Sequence, residues 1–292
     1  MRQIEVIAHA KINLSLDVQE KRPDGYHNIS SVMQSIGLAD RIMIRQTSGS
    51  FEFKSNKKNL PTDSRNLVCK AAQAICAHAK IQPSVRIDLH KSIPIGAGLA
   101  GGSADAAGTL IAMNILFDLQ LSESELFQLA LELGSDVPFC LKGGTFFAEV
   151  RGEVLSKICS PVRPRLMLYK PPFSVSTASV YRRYESNAVV RRPDNGKLIT
   201  ALERGSLKEG FTQMINVLES VTLDRRPQLI RAKEIFLMEG ADHVLMSGSG
   251  PTLLAFYQSD IQQESLRQAA KGLPGRGYFT EFFHKGQEIL QR

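Results

Sequence analysis

A glycine-rich run between a strand pattern and a helix pattern constrains this sequence more than any other feature. The run reads Gly96-Ala97-Gly98-Leu99-Ala100-Gly101-Gly102-Ser103. Alternating Val85, Ile87 and Leu89 precede it, and the alanine- and leucine-rich segment 104–119 follows it as a predicted helix that Ser103 would cap. Such glycines let a backbone approach a phosphate, and a following helix offers free N–H groups and a positive dipole end. A glycine turn that packs a helix tightly on a sheet is the open alternative.

Two common nucleotide-binding loops do not explain this run. Gly96-x-Gly98-x-x-Gly101 matches the dinucleotide fingerprint, but that fingerprint needs a second strand that ends in an acid about 20 positions later. The acid near that spacing, Asp118, falls at the end of the predicted helix, so no second strand intervenes. A Walker A loop is excluded because no Gly-Lys-Ser or Gly-Lys-Thr follows the glycines.

Two ionisable residues are candidates for chemistry. Lys11 lies in a strand pattern, 8–14, whose period of two places it beside Asn13 among small and apolar residues. An unpaired ammonium is costly in such surroundings, so Lys11 requires an anionic partner. Asp136 follows a helix stop at Gly134. Its carboxylate is either the N-cap of the next helix or a base or positioning group for a substrate hydroxyl.

A second glycine loop lies in the other half of the chain. It reads Ser247-Gly248-Ser249-Gly250-Pro251 and separates two strand patterns. The loop is too long for a two-residue hairpin turn, and its backbone donors can curve around an anion as a nest. An ordinary connection between strands is the alternative.

Proline spacing divides the chain near residue 160. Prolines between 161 and 172 bracket a short strand pattern at 166–169, which predicts two domains, 1–160 and 161–292. Both halves contain strands and helices without strict alternation, which indicates an α+β fold. Further predicted elements are helices at 66–79, 122–133, 207–218 and 227–238, strands at 243–246 and 252–257, and a surface loop at 185–195.

Composition narrows the classes of function. Hydrophobic residues make up 43% and charged residues 22%, which is typical of a folded globular chain. The net charge of +7 favours anionic partners, but the basic residues form short scattered groups, so a solvated surface is favoured over nucleic-acid binding. Four cysteines without a C-x-x-C pair predict buried free thiols. The N-terminus alternates like a strand, and no apolar stretch is long enough for a bilayer, so we expect a cytoplasmic protein without a membrane partner.

Three ordered motifs resemble those of the GHMP kinases, the family of galactose, homoserine, mevalonate and phosphomevalonate kinases. The motifs are Ala10-Lys11-Ile12-Asn13-Leu14, the segment 94–107, and Gly248-Ser249-Gly250-Pro251-Thr252, and the resemblance runs from about residue 8 to residue 257. It implies an α+β fold with an N-terminal domain like domain 2 of ribosomal protein S5 and a ferredoxin-like C-terminal domain. It also implies ATP-dependent phosphorylation of an alcohol, with ATP and Mg²⁺ as cofactors.

Two segments resemble one branch of that family. They are Arg22-Pro23-Asp24-Gly25-Tyr26-His27 and Gly134-Ser135-Asp136-Val137-Pro138-Phe139. In that branch the substrate is a cytidine diphosphate conjugate of methylerythritol, phosphorylated on its 2-hydroxyl in the non-mevalonate route to isoprenoid precursors. Kinases of other alcohols, such as homoserine or mevalonate, are the alternative within the family. Tyr26 and His27 argue against them, because neither alcohol carries a base to stack or pair. A non-catalytic relative that binds nucleic acid is the alternative outside the family. For the oligomeric state, we expect a monomer or weak homodimer.

The resemblance also implies residue roles. Lys11 would neutralise charge at the transferred phosphoryl group, and Asp136 would accept or orient the hydroxyl proton. The implied ATP-binding residues are Asn66, Lys91, Pro94, Ile95, Gly96, Ala97, Gly98, Leu99, Ala100, Gly101, Gly102, Ser103 and Ala104. The implied substrate-binding residues are Asn13, Tyr26, His27, Thr177, Gly248, Ser249 and Gly250. Ser103 is a candidate Mg²⁺ ligand, and a contact between Asp105 and Mg²⁺ is left open.

Overall fold

A computed structural model of the chain describes residues 2–82, 84–184, 189 and 191–291. Its strands are β1 (Gln3–Asn13), β2 (Asp17–Lys21), β3 (His27–Gln46), β4 (Glu52–Ser55), β5 (Val85–His90), β6 (Thr145–Val150), β7 (Val154–Lys157), β8 (Arg165–Lys170), β9 (His243–Met246), β10 (Leu253–Tyr257), β11 (Arg276–Phe283) and β12 (Gln287–Gln291). Hydrogen bonds connect these strands into one sheet along the order β12-β1-β3-β11-β8-β10-β9, with β2, β4, β5, β6 and β7 on branches.

The helices cover this sheet. They are α1 (Leu67–Ala79), α2 (Gly101–Leu116), α3 (Glu123–Leu133), α4 (Val137–Lys142), α5 (Thr177–Arg183), α6 (Asn195–Glu203), α7 (Leu207–Gly210), α8 (Glu219–Arg225), α9 (Pro227–Met238) and α10 (Asp260–Lys271). The prediction of α3 is confirmed, because the Ser122 hydroxyl accepts from the Glu125 backbone N–H and the Glu125 side chain accepts in return. The helix at 227–238 is also confirmed with the predicted bounds.

Three sequence predictions are wrong in detail. The helix α2 begins at Gly101 rather than at residue 104, because Ala100 takes a left-handed conformation (φ 51°) and the chain turns into the helix there; Ser103 therefore lies inside the first turn and does not cap it. The helix expected at 207–218 ends at Gly210, because backbone bonds to Leu16 replace helical ones further on. Three cysteines are buried as expected, but Cys159 is exposed. The expected loop at 185–195 lies partly outside the described residues.

The strand β3 joins the two halves of the molecule. It is 20 residues long and pairs with β1, β2, β5 and β6. It also pairs with β11 through Ile36 and Phe282. Within the second half, the strands lie in the antiparallel order β11-β8-β10-β9, with α9 between β8 and β9 in sequence and α10 between β10 and β11. This arrangement is the β-α-β-β-α-β order of a ferredoxin-like domain, so the predicted α+β fold class is confirmed.

The helix α2 approaches the sheet closely because one of its faces has small side chains. Ala104, Ala107 and Gly108 are buried, and a Cβ atom on Gly108 would lie 2.9 Å from the Ile42 side chain of β3. A larger residue there would push the helix away from the sheet. The close approach brings the N-terminus of α2 beside the residues that project from β1.

Candidate active site

One large cavity contains most of the predicted site residues. Its volume is about 900 Å³, and its walls come from both halves of the chain. The predicted residues on its walls are Lys11, Asn13, Tyr26, His27, Asn66, Lys91, Pro94, Ile95, Gly96, Ala97, Gly98, Leu99, Ala100, Gly101, Gly102, Ser103, Asp136, Thr177, Gly248 and Ser249. The two others, Ala104 and Gly250, are buried behind the wall rather than on it.

A lysine and an aspartate face each other across this cavity. Lys11 Nζ lies 3.1 Å from Asp136 Oδ1; the Lys11 side chain is 6% exposed, whereas that of Asp136 is 36% exposed. The Asp136 side chain makes no capping bond to α4, although it occupies the N-cap position. Its carboxylate is therefore available to Lys11 and to a ligand. Asp136 supplies the anionic partner that the surroundings of Lys11 require.

The strand β1 sets the direction of the Lys11 side chain. Lys11 Nζ also donates to Asn13 Oδ1 (2.9 Å), and Asn13 Nδ2 donates to Ser31 Oγ (2.8 Å). The two side chains lie on one face of the strand, as the period of two predicts. This buried chain of hydrogen bonds fixes the ammonium group beside Asp136.

The first glycine run is held from two sides. The Lys11 backbone N–H donates to the Leu99 carbonyl (3.1 Å), and the Ser247 hydroxyl donates to the Gly98 carbonyl (3.0 Å). Gly98 has a φ of +74°, and a Cβ atom there would lie 2.5 Å from the Ser247 carbonyl oxygen. The two glycine loops are thus in direct contact, and that contact requires glycine at position 98.

A buried ionic cluster lies below the start of α2. Lys91 Nζ contacts Asp40 Oδ2, and it donates to Asp105 Oδ2 at 2.7 Å. Asp40 Oδ1 accepts from the backbone N–H groups of Ser92 (2.6 Å) and Ile93 (2.8 Å). These contacts tie β3, the segment before the glycine run and the first turns of α2 together. Lys91 thus joins the two ends of the run, and its ammonium group already has two anionic partners.

The charges in this cluster do not cancel. Two carboxylates share one ammonium, and Asp105 Oδ1 is buried without a hydrogen-bond partner. Burial raises the pKa of Asp105 well above its usual range, against the attraction of Lys91. Burial alone would lower the pKa of Lys91, but Asp105 and Asp40 together raise it. Asp105 thus lies deep in the cavity wall beside Lys91.

Aromatic side chains form the far end of the cavity. The Tyr26 ring is 54% exposed, and the Arg151 guanidinium lies 4.3 Å from its centroid. The His27 and Tyr181 rings are adjacent, with 5.6 Å between centroids. Burial, helped by Lys21, lowers the pKa of His27 and favours the neutral imidazole. This end of the cavity offers ring faces together with one donor and one acceptor nitrogen.

The remaining predicted residues lie at two further places on the wall. Thr177 Oγ1 and Ser249 Oγ are 2.9 Å apart, so α5 and the second glycine loop meet at a shared hydrogen bond. Asn66 caps α1 by accepting from the Val68 backbone N–H (3.0 Å), and its amide donates to the Pro61 carbonyl (2.9 Å). The Asn66 side chain thus has a structural task in addition to its place on the wall.

Sequence reasoning missed several wall residues. They are Lys21, Arg65, Arg151, Tyr181 and Arg182. Tyr181 follows Thr177 on α5 at a spacing of four, and Arg182 follows Ala178 at the same spacing. A helix prediction over 177–183 would have used this signal. Arg151 follows β6 in a short turn, and no motif marks it.

The described ranges contain no cluster of three or more His, Cys, Asp and Glu side chains that could hold a metal ion. Protein-bound Mg²⁺ commonly uses one or two carboxylates together with substrate phosphates and water. The Ser103 hydroxyl and the Asp136 carboxylate lie on the same cavity wall and fit that smaller donor set. Within the same ranges, no helix has the length and apolar character needed to cross a membrane.

Comparison with known proteins identifies relatives over nearly the whole chain. The family model "GHMP kinases N terminal domain" matches residues 66–144, and "GHMP kinases C terminal" matches residues 197–273. A 4-diphosphocytidyl-2-C-methyl-D-erythritol kinase of Syntrophomonas wolfei is 42% identical over 267 residues, which are 91% of this chain and 94% of that protein. A protein of the same name from Bacillus velezensis is 44% identical, over 93% of this chain and 94% of its own length.

Solved structures agree on the fold. A crystal structure of 4-(cytidine 5′-diphospho)-2C-methyl-D-erythritol kinase superposes with a TM-score of 0.81 at 32% identity, over 95% of this chain and 98% of that one. A homoserine kinase from Cytophaga hutchinsonii also reaches a TM-score of 0.81, at 20% identity, over 99% of this chain and 98% of that one. Because the two TM-scores are equal, the fold does not by itself select the alcohol.

Proposed function

The chain belongs to the GHMP kinase family, and from that premise we propose that it transfers the γ-phosphoryl group of ATP to 4-diphosphocytidyl-2-C-methyl-D-erythritol. The acceptor is the 2-hydroxyl, and the products are the 2-phosphate and ADP, in the non-mevalonate route to isopentenyl diphosphate. The observation that carries this proposal is the Lys11–Asp136 pair, 3.1 Å apart, in one cavity with the glycine run and the Tyr26–His27 segment.

The phosphate end of the cavity suits ATP. Phosphoryl transfer asks a protein mainly for alignment and for stabilisation of charge. The run from Pro94 to Ser103 and the first turn of α2 supply backbone N–H groups and a positive dipole end for the phosphates. Lys11 adds a fixed ammonium group that can neutralise charge on the transferred phosphoryl group. Asn66, at the start of α1 on the same wall, is the proposed neighbour of the adenine.

Asp136 is the proposed partner of the substrate hydroxyl. Its carboxylate is held by Lys11 on one side and is 36% exposed to the cavity on the other. A hydroxyl bound there can donate its hydrogen to Asp136, which orients the oxygen toward the phosphoryl group and accepts the proton as the bond forms. Lys11 stays within contact distance of both the carboxylate and the site of transfer.

The aromatic end of the cavity suits a cytosine. Tyr26 presents an exposed ring face for stacking, and neutral His27 offers one hydrogen-bond donor and one acceptor. The Tyr181 ring lies next to His27 and closes the same end of the cavity. Asn13, Thr177, Gly248 and Ser249 line the same cavity, and we propose that they contact the rest of the substrate.

We further propose that ATP is used with Mg²⁺. When bound, the ion neutralises charge on the β- and γ-phosphates. The Ser103 hydroxyl, in the first turn of α2, is the proposed protein ligand, with phosphate oxygens and water as the other donors. Removal of divalent cations with EDTA should abolish ADP release, and added Mg²⁺ should restore it.

Three coarser properties complete the proposal. We propose domains 1–160 and 161–292 as units of function, with the ATP run, Lys11 and Asp136 on the first, although β12 of the second pairs with β1 of the first. We also propose a monomer or weak homodimer in the cytoplasm, without a nucleic-acid partner. Sedimentation velocity at several protein concentrations measures the association, and fractionation of the source cells measures the location.

The decisive experiment is an ADP-release assay with ATP and Mg²⁺. It compares 4-diphosphocytidyl-2-C-methyl-D-erythritol with homoserine and mevalonate, and product analysis identifies the phosphorylated hydroxyl. Turnover with the cytidylyl alcohol alone is the expected result. Turnover with homoserine or mevalonate instead would contradict the proposed substrate, and salt-sensitive RNA or DNA binding without ADP release would contradict the kinase assignment.

A further inference from the structure

Arg151 stacks on the ring of Tyr26 at the aromatic end of the cavity. It lies on the short turn between β6 and β7, and its guanidinium carbon is 4.3 Å from the Tyr26 ring centroid. Both side chains line the cavity, and the steps proposed above make no use of Arg151. A guanidinium over a tyrosine face is attracted to the negative electrostatic potential that the ring quadrupole creates above the ring.

The backbone beside Arg151 is held in an unfavourable conformation. Val150 has a φ of +65°, in the left-handed region that a β-branched residue rarely adopts. Hydrogen bonds fix the turn: the Arg151 backbone N–H donates to Glu153 Oε2 (2.7 Å), and the Gly152 N–H donates to the Glu149 carbonyl (2.9 Å). Val150 is also paired with Ile29 of β3, two residues after His27. Such strain persists where the surroundings fix it, and it is common in binding sites.

The Arg151 side chain has no other strong attachment. Within the described ranges, none of its side-chain nitrogens has a hydrogen-bond acceptor or a carboxylate within ion-pair distance, and its Nε is buried without a partner. The cavity arginine Arg65 is different, because its guanidinium donates to both carboxylate oxygens of Asp63. The contact with the Tyr26 ring is therefore the closest interaction of the guanidinium, and a longer-range attraction to the Asp24 carboxylate adds to it.

We propose that Arg151 is a positioning residue for the pyrimidine nucleotide end of the substrate, and that it acts through Tyr26. The strained turn presents the guanidinium to one face of the 54% exposed Tyr26 ring, and this leaves the opposite face free for a base. A ring held in one orientation loses less conformational freedom when the base binds. The inference rests on the proposed function, since it needs a substrate with a base.

The test is steady-state kinetics of Arg151→Met, which keeps an unbranched apolar stem and removes the guanidinium with its charge. We expect the KM for 4-diphosphocytidyl-2-C-methyl-D-erythritol to rise about tenfold, the size of a partly desolvated cation–π contact, while kcat and the KM for ATP stay unchanged. Arg151→Lys should recover part of the loss because it keeps a cation. The matched control is Arg267→Met, which removes an arginine 4.4 Å from the Phe279 ring, away from the cavity.

A double substitution separates positioning from independent binding. In a Tyr26→Leu background, Arg151→Met should raise the KM by less than about twofold, because the ring through which it acts is already absent. A full tenfold rise in that background would overturn the action through Tyr26. If the wild type turns over the cytidylyl alcohol and Arg151→Met has the same KM for it, this inference is overturned while the proposed function stands. Absence of wild-type turnover with that alcohol would overturn the proposed function and, with it, this inference.

Discussion

Two buried lysines in this molecule, Lys11 and Lys91, have opposite surroundings. Each is 5% exposed, and each contacts an aspartate. Lys11 contacts one carboxylate, that of Asp136, which is open to the cavity. Lys91 contacts two, Asp40 and Asp105, whose side chains are 0% and 3% exposed. The Asp136 carboxylate can still meet a ligand, whereas the two carboxylates around Lys91 are enclosed by the wall.

This difference in surroundings indicates that Lys11 serves the reaction and that Lys91 stabilises the fold. A lysine beside one open carboxylate has charge to offer to a phosphoryl group, while a lysine enclosed by two carboxylates has its charge already compensated. The second cluster also holds the backbone of Ser92 and Ile93 through Asp40. We therefore expect substitutions at Lys11 to change catalysis and substitutions at Lys91 to change stability and the shape of the glycine run.

The largest expected effect tests the open pair. Asp136→Asn keeps the shape of the side chain and removes its ability to accept a proton, so kcat should fall about 10²- to 10⁴-fold with little change in thermal unfolding. The assay is ADP release with the cytidylyl alcohol. Asp88→Asn, on β5 outside the cavity wall, is the matched control and should keep the wild-type kcat. A folded Asp136→Asn protein with near-normal kcat would remove this residue from the catalytic step.

The next effect compares the two lysines directly. Lys91→Met leaves Asp40 and Asp105 buried without their cation, which should lower the free energy of unfolding by about 3–5 kcal/mol in urea titrations. Lys11→Met should cost less stability, because Asp136 can turn to solvent, but it should remove most turnover. Lys70→Met, exposed on α1, controls for loss of charge alone. Equal losses of stability in Lys11→Met and Lys91→Met would contradict the proposed difference between the two lysines.

A smaller effect concerns the pH dependence of stability. The raised pKa of Asp105 means that the folded chain holds a proton that the unfolded chain releases above the ordinary aspartate pKa of 3.8. Its contribution is full below that value and is lost as pH rises toward the folded pKa. Asp105→Asn removes this loss, so its free energy of unfolding should fall less than that of the wild type as the pH rises above the ordinary aspartate pKa of 3.8. Parallel curves for the two proteins would show that Asp105 binds no extra proton.

The smallest expected effect comes from a substitution that gives Lys11 surroundings like those of Lys91. Asn13→Asp would give Lys11 a second carboxylate, as Lys91 has, and the added negative charge should raise the KM for ATP about tenfold. Asn13→Ala, which removes the acceptor without adding charge, is the matched control and should raise that KM less. An unchanged KM for ATP in Asn13→Asp would mean that the net charge around Lys11 does not affect the binding of the ATP phosphates.

Local patterns in the sequence predicted much of the fold. The capping box at Ser122 and the bounds of the helix at 227–238 depend on neighbouring residues, so they can be read from a single segment. The length of β3 could not be predicted, because its 20 residues are held by partners far away in sequence. The same reason explains the error at 207–218, where pairing with Leu16 ends the helix.

In the candidate site, too, the features within one segment could be predicted, whereas those that depend on distant contacts could not. The glycine run, Lys11 and Asp136 stand in recognisable motifs, and the structure brings them together, while their roles remain predictions. The cluster around Lys91 was not foreseen, because Asp40 reaches it from a distant strand and Asp105 from the next helix. Arg151 was missed for a related reason: its contact with Tyr26 depends on the pairing of β6 with β3.

The pairing of β12 with β1 has a consequence for biosynthesis. Val6 is opposite Ile289, so almost the whole polypeptide must leave the ribosome before the outer edge of β1 is covered. Until then β1 presents unpaired backbone groups, which invite association between nascent chains. Lys11 lies farther along the same strand, so it stands on a scaffold whose outer edge is covered only after its distant partner strand has been synthesised.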